Sequence, residues 1–135
     1  MLDTAAARYA QVKVTTATPG ELLLALYDGL FRFLNGAKLL LERGEKARAS
    51  ELISKSYAIV SELYIALDHE VAPELCAQLS GVYGFAMDRL TQTNIDGKVQ
   101  GIVDVIRVLT PLKEAWTIAV PQAAREKAAA GPPKR

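Results

Sequence analysis

Apolar residues recur every three to four positions along most of the chain, and the pattern breaks in only a few short places. That period predicts helices. The first segment runs from about Pro19 to Arg43 and stops at Gly44, a residue suited to a left-handed C-cap. Its start is marked by Thr18-Pro19-Gly20-Glu21. Thr18 can accept a free backbone N–H, Pro19 fits the first helical position, and Glu21 can reach back to complete a capping box. The second segment spans about Glu45 to Glu70, and the third begins near Pro73 and ends near Asn94. The fourth starts near Asp96, a plausible N-cap, and continues to about Val120. Breaks this short make consecutive helices antiparallel neighbours. The expected fold is all-α: an antiparallel up-down four-helix bundle over residues 18–120. A short N-terminal capping leader (1–17) precedes it and a flexible tail (121–135) follows. Pro111 interrupts the fourth segment and predicts a kink between Arg107 and Leu112, or two shorter helices.

On helical wheels the apolar arcs are wider than one core contact needs. Leu52, Ile59, Val60, Leu63 and Leu67 form a tight stripe on the second helix, with Ile53, Tyr57 and Tyr64 along its edge. On the fourth, Val99, Val103 and Ile106 form one flank, while Val105, Val108, Leu112 and Trp116 extend the apolar surface to the other. The first helix carries Leu24 and Phe31 outside its main stripe. Single exposed apolar residues are ordinary. The edges of the second and fourth helices taken together instead predict a groove for a partner. Its candidate lining is Ile53, Tyr57, Val60, Tyr64, Val105, Val108 and Leu112. The leader is too short to fold alone, and Tyr9 and Val12 make it a candidate cover over that groove; a frayed terminus is the plain alternative.

Composition narrows the chemistry. The 135 residues are half apolar, and a net charge of +1 gives no electrostatic case for nucleic acid or an anionic membrane. No apolar run approaches the length of a membrane span, and the N-terminus has no signal-peptide pattern, so a cytoplasmic protein is expected. The single cysteine, Cys76, excludes an internal disulfide and reads as a small core thiol. His69, the single histidine, stands at a helix end with alanine at position 66, so no Glu-x-x-His metal motif exists. Nothing marks a catalytic, cofactor-binding or metal site. A reactive Cys76–His69 pair is the only enzymatic alternative, and its spacing has no support.

Several short stretches resemble the flagellin export chaperones, the FliS family. The opening Thr16-Ala17-Thr18-Pro19-Gly20-Glu21-Leu22 runs into Leu26-Tyr27-Asp28-Gly29, and Tyr9 stands where the family carries a leader tyrosine. Ser61-Glu62-Leu63 with Leu67-Asp68-His69-Glu70, Leu79-Ser80-Gly81-Val82-Tyr83, and Met87-Asp88-Arg89-Leu90 before Asn94 follow in order. Leu112-Lys113-Glu114-Ala115-Trp116 is similar to the family's closing motif. Gln78, Ala72-Pro73, Thr93 and Pro111 depart from it. The resemblance implies a four-helix bundle, not an enzyme, that binds the disordered C-terminal segment of flagellin. Such binding would prevent premature polymerisation and keep flagellin competent for flagellar type III secretion. An export-apparatus protein is the implied second partner. A bundle that homodimerises through its wide apolar faces is the alternative from a different class.

Overall fold

A computed structural model describes residues 18–131; the leader, including Tyr9 and Val12, lies outside the described residues. Four helices follow in order: α1 (Pro19–Glu42), α2 (Lys46–Ile65), α3 (Pro73–Asp96) and α4 (Gln100–Ala129). Thr18 begins α1 as its residue type suggests, its Oγ1 accepting the Glu21 N–H at 3.1 Å. Gly44 (φ 76°) turns the chain after α1 and Gly97 (φ 67°) turns it after α3. Both sit in the left-handed region that a Cβ disfavours.

The described residues divide into two compact units, one of residues 18–27 with 113–131 and one of residues 28–112. Within the second, Gly29 and Gly36 of α1 lie against Ile59 and Leu52 of α2, so these helices run in opposite directions. Ser50 Oγ of α2 donates to Asn94 Oδ1 of α3 at 2.7 Å. Thr93 of α3 lies against Gly101 of α4. Arg89 of α3 pairs with Asp104 of α4 at 3.8 Å, and Asp104 also takes Arg107 at 3.2 Å. Consecutive helices are therefore antiparallel and the fold is an all-α four-helix bundle. Leu30, Leu34, Ile53, Val60, Tyr83, Leu90, Ile102, Val105 and Leu109 fill its interior. Each such side chain contributes roughly 1.5–3 kcal/mol by leaving water.

Three boundaries differ from the pattern read along the chain. Helix α2 ends at Ile65, and residues 66–72 form a turn held by Asp68, whose carbonyl accepts the Val71 and Ala72 N–H groups. Asp96 closes α3 instead of opening α4, its carboxylate accepting the Lys98 N–H at 2.8 Å. Helix α4 crosses Pro111 as one helix, not two, and runs to Ala129 instead of ending near Val120. Pro111 and Pro121 are both exposed, as are Arg107 and Thr117 one turn before them. On the exposed side of a helix a carbonyl can tilt towards water, which eases the loss of the donor that each proline lacks. Most of the segment set aside as a tail is helical.

Candidate functional site

The sequence expectation joined the edge of α2 to the flank of α4. The structure distributes those residues differently. Ile53, Val60 and Val105 are 2%, 0% and 0% exposed and belong to the core. An apolar position at the edge of a wide arc looks the same from sequence whether a neighbouring helix covers it or not. Tyr57 and Tyr64 are 41% and 42% exposed and lie two turns apart on one face of α2. Val108 and Leu112 are half-buried on α4. Tyr57 shares a concave surface with residues of α3. A groove of about 530 Å³ lies between α2 and α3. Ile53 forms part of its lining with Tyr57, and Leu90, Asn94 and Ile95 supply the other side.

A second concave surface was not foreseen. In the unit of residues 18–27 and 113–131, a trough of about 660 Å³ runs between the start of α1 and the last turns of α4. Gly20 allows the close approach of these segments: a Cβ there would stand 2.7 Å from Val120 Cγ1. The walls are almost entirely hydrocarbon. Leu23 and Leu24 line one side and Trp116, Val120, Ala123 and Ala124 the other, with Glu21 and Lys127 supplying charge. Leu23, Leu24, Trp116 and Val120 are half-buried, so the trough presents apolar surface without being sealed. The sequence carried part of this signal. Leu24 lay off the main stripe and Trp116 continued the stripe of α4 past Pro111. Ending α4 near Val120 concealed Ala123 and Ala124.

One polar atom breaks the hydrocarbon wall. Trp116 Nε1 is buried and has no hydrogen-bond partner, the only such side-chain atom found among the described residues. Elsewhere the chemistry is quiet. The Cys76 thiol is buried and donates to the Asp68 carbonyl at 3.3 Å, a structural contact that ties the α2–α3 turn to α3. His69 is exposed. No group of His, Cys, Asp and Glu that could hold a metal occurs among the described residues. No described helix is long and apolar enough to cross a membrane.

Comparison with known proteins points in one direction. Residues 1–123 match the family described as flagellar protein FliS. The flagellar secretion chaperone FliS of Bacillus subtilis (strain 168) is 32% identical over 123 residues, covering 91% of each chain. That of Salmonella typhimurium is 35% identical over 120 residues, covering 85% of this chain and 89% of its own. A crystal structure of a flagellar chaperone from bacteria superposes with a TM-score of 0.71 at 22% identity, covering 87% of this chain and 96% of the other. That likeness supports the fold.

Proposed function

Because the chain belongs to the FliS family of flagellar secretion chaperones, a non-enzymatic family, we propose that it binds the C-terminal segment of flagellin in the cytoplasm through its apolar grooves. The trough between α1 and α4 is the principal seat. The observation that supports this reading is an open trough of about 660 Å³ whose walls are mostly hydrocarbon. Such a channel suits helix-in-groove recognition, in which an amphipathic helix lays its apolar face against the wall.

The energetics set what the contact must be. A segment that is disordered when free costs about 2–5 kcal/mol to order on binding. Apolar burial contributes roughly 25 cal/mol per Å². The contact therefore has to be extended, and one trough alone holds a short helix. Within the unit of residues 28–112, the α2–α3 groove is of mixed character, Tyr57, Ile53 and Ile95 standing beside Ser50, Thr91 and Asn94, and Tyr64 is exposed on the same helix. Val108 and Leu112 add part-exposed apolar area on α4. Covering flagellin's polymerising face here would keep it monomeric until an export-apparatus protein receives it.

The test is titration of the full chain with a synthetic peptide covering the C-terminal segment of its own species' flagellin, followed by calorimetry and circular dichroism. A gain in helicity and a negative heat-capacity change are expected. Absence of binding, or binding without either signature, would contradict the proposal.

A further inference from the structure

We infer that Trp116 donates a hydrogen bond to the bound segment, so that the trough selects an occupant able to bring a carbonyl oxygen to the indole N–H. This rests on the trough being the seat proposed above for the flagellin segment.

The indole nitrogen is a donor with no acceptor capacity. Buried side-chain donors nearly always have a partner, and one that lacks it carries a desolvation cost. Trp116 Nε1 is such a donor. Leu24, Ala119 and Val120 offer only hydrocarbon to the same trough, and its polar residues, Thr18 and Glu21, do not bond the indole N–H. The Thr117 hydroxyl, next in sequence, donates to the Lys113 carbonyl at 2.7 Å and does not take the indole N–H. If the wall were only a hydrocarbon contact, a phenylalanine or leucine would line it without an orphaned N–H. Tryptophan makes sense where a visitor completes the bond. The atom is shut off from water, yet its ring forms part of the trough wall. A turn of the indole as the apolar wall readjusts around an occupant would open it to that occupant and not to bulk solvent.

The acceptor follows from helix chemistry. Interior carbonyls of a bound helix already accept from their own backbone, whereas the last four do not. The partner is therefore a carbonyl oxygen, either from the final turn of the bound helix or from an Asn or Gln side chain within it.

The experiment uses the full chain and the flagellin C-terminal peptide. Trp116→Phe keeps an aromatic wall and removes the donor. Binding should weaken roughly five- to tenfold, the worth of one hydrogen bond, while the thermal midpoint of the unbound protein does not fall. The chain has a single tryptophan, so its indole proton gives one resolved resonance. On peptide binding that resonance should move and its exchange with water should slow further. This readout needs no substitution and stands even if the variant folds poorly. Replacing each Asn and Gln of the peptide in turn separates the two sources. A loss at one position assigns a side-chain carbonyl, and no loss at any assigns the backbone. Unchanged affinity in Trp116→Phe with an unmoved indole signal would overturn the inference and leave the flagellin reading standing. Failure of the peptide to bind the unaltered chain would overturn that reading itself.

Discussion

Alanine placed at Gly101 and at Gly84 should move stability in opposite directions, although both positions are helical. A Cβ at Gly101 overlaps Thr93 Oγ1 and stands 3.3 Å from Thr93 Cβ and 3.4 Å from the Arg89 carbonyl. Thr93 is 2% exposed, and its hydroxyl already donates to the Arg89 carbonyl at 2.8 Å. To make room, Thr93 must leave that bond or α3 and α4 must part. A lost bond that strands a buried hydroxyl costs about 1–3 kcal/mol, and overpacking costs about the same. Helix propensity returns at most ~1 kcal/mol. The net expectation is a destabilisation of about 2 kcal/mol, or roughly 5–10 °C in thermal midpoint. At Gly84 a Cβ meets nothing within 4 Å. Alanine there should stabilise by about 0.5–1 kcal/mol. Urea denaturation followed by circular dichroism, with an unchanged m-value, reads both. Thr93→Ala removes the obstructing oxygen, so Gly101→Ala in that background should cost little, a coupling visible in a double-mutant cycle. Equal effects at the two glycines, or no coupling to Thr93, would refute the packing account of the α3–α4 contact.

Three further outcomes follow from the same structure. Gly44→Ala, at φ 76° with open space around it, should destabilise by about 1 kcal/mol in urea titrations through backbone strain alone. Tyr57→Ala and Tyr64→Ala should weaken flagellin-peptide binding in calorimetry while leaving helix content near the parent's, because both rings are exposed; parallel loss of fold and binding would reassign them to the core. Asp96 is held below its ordinary carboxyl value of 3.8 mainly by the Lys98 backbone N–H, with slight burial opposing and the Gln92 amide and the Lys98 and Lys46 charges adding to the lowering. Its contribution to stability is thus full above the unfolded-state value and lost as pH falls through the lower folded value. The stability gap between the parent and Asp96→Asn should be constant near neutrality and shrink at acid pH in denaturation curves.

The helices were legible because their cores repeat with a helical period and because Thr18, Gly44 and Pro73 punctuate them in ordinary ways. The ends were less so. Asp96 and Gly97 are adjacent, and an aspartate that could open one helix in fact closes the one before it, with the glycine taking the left-handed turn. Pro121, like Pro111, lies on an exposed position where its missing N–H is of little consequence, so α4 outlasts the apolar pattern. The site was half legible. Wheels show that Tyr57 and Tyr64 lie at an edge, but not that Tyr57 lines a groove with α3, nor that Val60 and Val105 are roofed by neighbours. Phe31, read as surplus on α1, is interior for the same reason. The trough depends on which segments of α1 and α4 approach one another. That is a tertiary fact, recorded locally by Gly20 against Val120.

The central claim is that the trough receives the end of flagellin. A photo-crosslinking residue at Ala123, exposed in the α4 wall of the trough, tests it directly in the complex with full-length flagellin. A second probe at Arg32, exposed on α1 outside both grooves, is the control. Irradiation should join the Ala123 probe to peptides from flagellin's C-terminal segment and leave the Arg32 probe unjoined. Adducts absent at Ala123, or mapping to flagellin outside that segment, would contradict the account.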